Sequence, residues 1–301
     1  MNQILKLPKV SVCVITYNHE KHIHQCLQSI LDQEVDFDFE VIVGDDFSID
    51  STSAIVEYFT NRYPLIIRSY KQPYNTGGTK NLIDICAMAN GEYIAHCDGD
   101  DFWLPGKLND QILFLEKNPN VSGVFTNALV DREMVNPVRD FLVKIETSME
   151  TIFTRSLFIR SSFVERRYHD KATTQYVLEH NKIFDFEFYF VYHRGRNLMI
   201  MGRPYVCYCV NQNGISRSQN SLVEYNGAIN RLVDYGLSES TYKAMLVDLN
   251  VSKYLTNPSA KNKVNVLRYL SLKNKKFTVF IKLILPHFVL KFLVDRRRRA
   301  S

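Results

Sequence analysis

Two clusters of acidic side chains follow largely apolar segments of the chain. Asp45 and Asp46 follow residues 39–43, and Asp-Gly-Asp-Asp at positions 98–101 follows residues 93–97. Gathered carboxylates repel each other unless a cation or hydrogen-bond donors lie among them. Mg²⁺ or Mn²⁺ suits such a site, because it takes one or two protein carboxylates and leaves the other positions to substrate oxygens. The spacing of Asp98 and Asp100 predicts one carboxylate on a metal and one on a ribose hydroxyl. The alternative is that the acids are turn residues and helix caps.

Two further segments carry side chains that fit a nucleotide. Thr16-Tyr17-Asn18 offers a tyrosine face for stacking on a base, and Asp46 could accept a hydrogen bond from a base N–H. Residues 76–81, which include Lys80, supply backbone amides and one cation before a helix, as a phosphate or sugar would require. The spacing is not that of a P-loop, and no G-x-G-x-x-G follows the first strand, which excludes P-loop chemistry and argues against a dinucleotide oxidoreductase. His19, His22 and His24 are interpreted as solvated residues at a helix start.

The elements that must position these residues alternate between strands and helices. Residues 10–15 form a β-branched run typical of a strand buried on both faces. Apolar residues between 23 and 31 have helical spacing, and the alternation continues to residue 130. This order predicts a mostly parallel sheet covered by helices on both sides. Ligands bind at the carboxyl ends of the strands in such sheets, which is where the acidic residues fall.

Residues 10–108 resemble the nucleotide-binding half of the inverting family 2 glycosyltransferases, which have the GT-A fold. The resemblance rests on four segments in order: Val-Ile-Thr-Tyr-Asn (14–18), Glu-Val-Ile-Val-Gly-Asp-Asp-Phe-Ser-Ile-Asp (40–50), residues 75–81, and Gly-Glu-Tyr-Ile-Ala-His-Cys-Asp-Gly-Asp-Asp-Phe-Trp-Leu-Pro (91–105). It implies an α/β fold of the Rossmann-like GT-A type, with a C-terminal helical extension. It also implies a nucleotide-sugar donor, usually a UDP-sugar.

The resemblance assigns roles to individual residues. The nucleotide-sugar site would comprise Thr16, Tyr17, Asn18, Asp46, Lys80 and Asp98, with Asp98 at the ribose. Asp100, together with Asp98, would hold Mn²⁺ or Mg²⁺. Asn211 stands where many members carry a histidine, so the third protein ligand is open.

The family's catalytic base is matched in an aromatic segment, residues 184–190. Aromatic and polar residues alternate there, which fits a strand, but a helix with the aromatic side chains on one face fits as well. The match places the base at Asp185, with Glu187 as runner-up. Flanking phenylalanines would desolvate Asp185 in part and raise its pKa. The alternative is an acid that interacts with a helix dipole.

Composition and charge bound the class of protein. The fraction of hydrophobic residues is 46% and that of charged residues 23%, which excludes wholesale disorder and a polytopic membrane protein. Residues 251–301 hold thirteen Lys and Arg against one acid, whereas the first 250 carry 24 basic and 31 acidic residues. A basic tail on an acidic body seeks an anionic surface. Its apolar runs suit a membrane interface, or alternatively two core helices. Nucleic acid fits less well, since no interleaved aromatic residues accompany the arginines.

The predicted organisation has three segments. Residues 1–130 form the nucleotide-sugar half and residues 131–215 the acceptor half of one GT-A domain. Residues 216–301 form a helical, basic, membrane-associating extension. We find no signal peptide and no uncharged apolar stretch of 18 residues, and the six cysteines lack metal or redox spacing. We therefore expect a cytoplasmic protein, peripheral on the inner face of a bacterial membrane.

The favoured hypothesis is a metal-dependent, inverting transfer of a hexose from a UDP-sugar to a lipid-linked saccharide. By resemblance, the setting is lipopolysaccharide O-antigen or capsule assembly. A narrower hypothesis is β-glucosyl or β-galactosyl transfer onto polyprenyl-diphosphate-linked N-acetylglucosamine. The alternatives are a sugar-phosphate nucleotidyltransferase, which would need a glycine-rich, arginine-containing loop after the first strand, and a non-catalytic membrane adaptor with the same fold.

Overall fold

The structure, a computed structural model, describes residues 7–130, 133–134, 144–149, 159–168, 175–177, 179–180, 183–209, 219–242 and 245–246. The basic tail beyond residue 246 and the segment that contains Asn211 lie outside these residues.

The first part of the chain forms the parallel part of a sheet. Strands β1 (Val10–Thr16), β2 (Phe39–Asp45), β3 (Ile67–Lys71) and β4 (Tyr93–Asp98) pair in the order β3-β2-β1-β4, all in parallel. Helices α1 (Ile23–Leu31), α2 (Thr52–Arg62) and α3 (Gly78–Ala87) connect them. All seven residues of β1 are buried, as expected for a central strand covered on both faces.

The second part adds strands in both directions. Its elements, in chain order, are β5 (Phe102–Trp103), α4 (Lys107–Lys117), β6 (Gly123–Val130), β7 (Glu133–Met134), β8 (Lys144–Thr147), a 3₁₀ turn (Arg160–Ser162), β9 (Val164–Arg166), α5 (Asp185–Tyr192), β10 (Leu198–Cys207) and α6 (Gln219–Asp234). Strand β9 is antiparallel to both β4 and β6, and β6 is parallel to β10. The described strands form one sheet, extended beyond β4 in the order β9-β6-β10-β5.

The structure confirms the predicted α/β fold and settles the ambiguous segment. Residues 184–190, which fit a strand or a helix, belong mainly to helix α5. Strand β10 runs on through Pro204, and its register against β6 shifts there. A proline has no amide hydrogen to donate, so the strand accommodates it with an irregularity in the pairing.

The core lies on both faces of the sheet. The residues of α1 with helical spacing, Ile23, Cys26, Leu27 and Ile30, are fully buried, and they belong to one apolar cluster with Val12 and Val14 of β1. This buried stripe fixes α1 against the sheet and so fixes the loop between β1 and α1, which carries part of the site.

The chain divides into two compact units. One contains the described residues of Met1–Ser148, Ile159–Phe188 and Tyr192–Val210, and the other those of Met149–Phe158, Tyr189–Val191 and Asn211–Ser301. In the second unit, α6 buries Ala228, Ile229 and Leu232. The predicted segments 1–130, 131–215 and 216–301 stay a prediction. Within the described residues, no helix combines the length and apolarity needed to cross a membrane.

Candidate functional site

The acidic motif begins at the carboxyl end of β4, beside the end of β1. Asp98 is the last residue of β4 and pairs with Ile15. Gly99 follows, and a Cβ atom there would lie 2.6 Å from Thr16 Oγ1 and 2.9 Å from His19 Nδ1. A side chain at position 99 would therefore clash, which explains glycine between the two predicted ligand residues. The absence of a side chain lets the motif turn against the loop after β1.

Asp101 holds the motif in place. It is buried, and its carboxylate accepts hydrogen bonds from Ser161 Oγ at 2.5 Å and from the backbone amide of Cys209 at 2.9 Å. Burial, together with the charge of Asp98, raises the pKa of Asp101 well above its ordinary value. Ser161 Oγ also accepts a hydrogen bond from the Asp98 amide at 2.9 Å. These bonds tie β4 and the 3₁₀ turn to Cys209, two residues beyond the end of β10, so the acids sit on a braced support.

Arg160 lies between the predicted ribose-binding acid and the predicted base. Its Nε donates to Asp98 Oδ1 at 2.7 Å, and its Nη2 lies 2.6 Å from the same oxygen. Its Nη1 lies 3.8 Å from Asp185 Oδ2. One guanidinium therefore links the acid predicted at the ribose to the acid predicted as base. Sequence analysis missed Arg160, because no local pattern marks a residue whose partner is 62 positions away.

The two candidate bases have different surroundings. Asp185 begins α5; its Oδ1 accepts a hydrogen bond from the Phe186 amide at 2.8 Å, and 40% of its side chain is exposed. Glu187 is fully buried, with Oε1 bound by the Tyr176 hydroxyl at 2.7 Å and Oε2 by the Phe184 amide at 2.8 Å. Both Glu187 oxygens are thus engaged in holding the start of the helix. The geometry favours Asp185 as the group that can reach a substrate.

The loop after β1 is joined to the loop after β2. Asn18 adopts a left-handed backbone (φ 55°), its amide donates to Ser48 Oγ at 3.0 Å, and its Oδ1 accepts from the Ile49 amide at 3.0 Å. Phe47 is also left-handed (φ 67°), an uncommon conformation for a bulky residue. Tyr17 and Phe47 remain partly exposed. The two loops therefore present two aromatic side chains at the carboxyl edge of the sheet.

Asp46 organises the loop before α3. Its Oδ1 accepts hydrogen bonds from the amide and hydroxyl of Thr76, at 2.7 and 2.8 Å, and its Oδ2 accepts from the Gly77 amide at 2.8 Å. Asp46 is buried, so a base N–H would have to share an oxygen that is already bound. The Thr76 and Gly77 amides, which the sequence analysis expected to be available to a phosphate, instead donate to Asp46. Lys80 is exposed and paired with Asp84.

The residues can be compared with the needs of a divalent metal. Asp98 Oδ1 is bound to Arg160, which leaves Asp100 as the more suitable ligand; its Oδ2 lies 3.8 Å from His19 Nε2. His19 is mostly buried here, which differs from the solvated residue expected. The described residues contain no group of three or more His, Cys, Asp or Glu side chains arranged to hold a metal. Among these residues, an ion beside Asp100 would have at most two carboxylate ligands and would need substrate oxygens for its other positions.

Known proteins share parts of this sequence. The profile described as Glycosyl transferase family 2 matches residues 11–195. The putative glycosyltransferase EpsE of Bacillus subtilis is 36% identical over 123 residues, covering 41% of this chain and 44% of that protein. A Campylobacter jejuni protein named GalNAc(5)-diNAcBac-PP-undecaprenol beta-1,3-glucosyltransferase is 28% identical over 192 residues, covering 59% and 62%. The chain spans about half the length of the curated relatives it matches.

Solved structures share the fold. S. aureus TarS in complex with UDP-GlcNAc superposes with a TM-score of 0.62 at 20% identity, covering 92% of this chain and 82% of that one. A mannosyltransferase from Pyrobaculum calidifontis, in complex with GDP-Man and Mn²⁺, gives a TM-score of 0.58 at 18% identity, covering 92% and 79%. At these identities the likeness shows a common fold.

Proposed function

Because the chain belongs to glycosyl transferase family 2 and has the GT-A fold, we propose that it transfers a sugar from a nucleotide-sugar donor to an acceptor hydroxyl, with inversion at the anomeric carbon. The observation that carries the proposal is the placement of Asp98 and Asp185 on either side of Arg160. One acid lies at the end of β4, where the donor would bind, and the other at the exposed start of α5. In an inverting transfer the base would lie across the sugar ring from the departing diphosphate, because the acceptor attacks the face opposite the leaving group.

The donor would be a UDP-sugar bound at the carboxyl edge of β1, β2 and β4. Tyr17 would stack on the base, with Thr16 and Asn18 shaping the loop beneath it. Asp98 would accept a hydrogen bond from the ribose through Oδ2, because its Oδ1 is bound to Arg160. Asp46 would act by holding the Thr76–Gly77 loop. Lys80 would have to leave Asp84 to meet a phosphate.

A divalent cation, Mn²⁺ or Mg²⁺, would be held chiefly by Asp100, with Asp98 as the weaker candidate. It would supply positive charge beside the diphosphate as the leaving group departs. Support comes from the position of Asp100, whose nearest charged partner, His19, is 3.8 Å away, and from the Pyrobaculum structural neighbour solved with Mn²⁺.

Asp185 would be the general base. Its Oδ1 is tied to the Phe186 amide, so Oδ2 is the oxygen that would take the acceptor proton. As that oxygen removes the proton, the acceptor oxygen forms a bond to the anomeric carbon and the bond to the diphosphate oxygen breaks. A positioned base contributes roughly 10²–10⁴-fold to the rate.

The acceptor would be a lipid-linked saccharide on the cytoplasmic face of the bacterial inner membrane, in O-antigen or capsule assembly. Support for a lipid-linked acceptor is that the name of the Campylobacter relative mentions an undecaprenol-linked saccharide. Support for the membrane contact is that residues 251–301 are strongly basic. The narrower proposal is β-glucosyl or β-galactosyl transfer onto polyprenyl-diphosphate-linked N-acetylglucosamine. Pelleting with anionic but not with neutral vesicles, lost when Arg296–Arg299 are replaced by serine, would test the membrane contact.

The central experiment uses a panel of UDP-sugars. We expect one of them to raise the melting temperature in the presence of Mn²⁺, and chelator to abolish the shift. With that donor, Asp185→Asn should lose at least about 100-fold in transfer while still binding UDP, and Asp100→Ala should lose its response to the metal. Full transfer by both variants would refute the glycosyltransferase mechanism. Absence of UDP binding would favour the adaptor, and pyrophosphorolysis without transfer would favour a nucleotidyltransferase.

A further inference from the structure

The Arg160 guanidinium has its three nitrogens divided between two acids. Nε and Nη2 both approach Asp98 Oδ1, at 2.7 and 2.6 Å, while Nη1 faces Asp185 Oδ2 at 3.8 Å. The Nε contact is a charge-assisted hydrogen bond, which is short and directional, and the Nη2 contact is a close ion pair with the same oxygen. The contact with Asp185 is too long for a hydrogen bond but within the range of an ion pair. Arg160 is thus anchored on the donor side and oriented toward the acceptor side.

The backbone that carries Arg160 is fixed. The next residue, Ser161, is fully buried; its hydroxyl bonds both Asp98 and Asp101, and its carbonyl accepts from Trp103 Nε1 at 3.1 Å. The Arg160 side chain is itself only 13% exposed. Because both the backbone and the guanidinium of Arg160 are held, the arginine sets a fixed distance between the two acids.

The Asp185 carboxylate has one oxygen committed and one available. Oδ1 is bound by the Phe186 amide, and Oδ2 faces Arg160 Nη1 without a hydrogen bond between them. Rotation of the carboxylate would move Oδ2 away from this positive charge. The guanidinium therefore favours one orientation of Asp185 while leaving Oδ2 able to receive a proton.

We propose that Arg160 is a positioning residue, which aligns Asp185 Oδ2 with the donor bound at Asp98. The inference rests on the proposed function and adds a residue to it. Arg160 acts through Asp185 and does not touch the reacting atoms. A lysine could not replace it, because a single ammonium cannot hold Asp98 and face Asp185 together.

The test is a double-mutant cycle in kcat on the full chain, with UDP affinity and melting temperature measured for every variant. Arg160→Ala should lower kcat about 10- to 100-fold, as misplacement of a catalytic group by about 1 Å does. In the Asp185→Asn background the same change should lower kcat less than about 3-fold, since the group that Arg160 positions is already disabled. Arg160→Lys should keep the melting temperature but not restore kcat.

Arg167→Ala is the matched control, because the Arg167 guanidinium donates to the backbone carbonyls of Ala89 and Asn90. It should leave kcat unchanged. Equal losses from Arg160→Ala in both backgrounds would overturn the positioning role alone. Undiminished transfer by Asp185→Asn would instead overturn the proposed function, and the positioning role with it.

Discussion

Glu165 in β9 is the centre of a buried charge cluster whose removal should destabilise the whole fold. Its Oε1 lies 2.7 Å from His96 Nε2 and its Oε2 lies 2.7 Å from His193 Nε2. All three side chains are buried, and the Phe163 ring stacks on His96 with centroids 5.7 Å apart. Burial alone would raise the pKa of Glu165, but the two histidines outweigh it and lower the pKa to about 2.

The loss in the free energy of unfolding expected for Glu165→Gln can be worked out in two ways. The substitution leaves one buried hydrogen-bond partner of Glu165 without a matching group, which costs about 1–3 kcal/mol and more where a group is charged. A pKa lowered from 4.5 to about 2 corresponds to roughly 3 kcal/mol, at about 1.4 kcal/mol per pKa unit. We therefore expect Glu165→Gln to lower the free energy of unfolding by about 3 kcal/mol at pH 7.

The pH dependence has a defined sign. The pKa of Glu165 is lower in the folded state than in the unfolded chain. Its contribution to the free energy of unfolding is therefore complete above about pH 4.5 and is lost as the pH falls toward 2. The wild-type protein should lose this contribution in acid, whereas Glu165→Gln lacks it already. The difference in stability between the two proteins should therefore shrink below pH 4.5.

Urea unfolding at pH 7 and at pH 4, followed by circular dichroism, measures both effects. Glu92→Gln is the control, because Glu92 is 64% exposed and lies 3.8 Å from Arg166; it should change stability by less than about 1 kcal/mol. If Glu165→Gln were as stable as this control at pH 7, the cluster would contribute nothing and the reasoning would be wrong.

Three further substitutions test other parts of the site and its support. Lys107 is fully buried, its Nζ lies 4.1 Å from the Trp103 ring centre, and burial lowers its pKa to about 7. The cost of burying this charged lysine reduces the free energy of unfolding in full below pH 7, and the cost disappears as the pH rises toward 10.5. Lys107→Met should therefore raise the free energy of unfolding by roughly 1–4 kcal/mol at pH 7 and by less at pH 10. Urea unfolding at the two pH values measures the difference. Ser161→Ala removes hydrogen bonds to Asp98 and Asp101; it should lower the free energy of unfolding by roughly 2–4 kcal/mol and weaken UDP binding in calorimetry. The control Ser162→Ala removes one local hydrogen bond; it should lower the free energy of unfolding by about 1 kcal/mol and leave UDP binding unchanged. At Asn18, with its left-handed backbone, Ala should lower the melting temperature more than Gly, by the equivalent of about 1 kcal/mol; equal effects would contradict the strain argument.

Much of the fold could be predicted because its signals are local. The β-branched run at 10–15 and the helical spacing at 23–31 each define an element, and their alternation implies parallel pairing with a carboxyl edge that gathers Asp46, Asp98 and Asp100. Residues 184–190 could not be assigned in this way, because aromatic residues there satisfy both periods. The contact of Glu187 with the Phe184 amide belongs to the start of a helix, and it exists only in the folded chain.

The amino-acid sequence by itself determined the fold class and the edge of the sheet that gathers the acids, since each depends on residue type and spacing along the chain. The role of Asp185 as base stays a prediction that rests on the family resemblance. Only the tertiary structure decided which oxygens are available: both oxygens of Asp46 and of Glu187 are engaged, and Arg160 stands between Asp98 and Asp185. The physical reason is that a hydrogen bond or ion pair depends on distances of a few ångströms between groups that may be dozens of residues apart. Local periodicity carries no information about those distances.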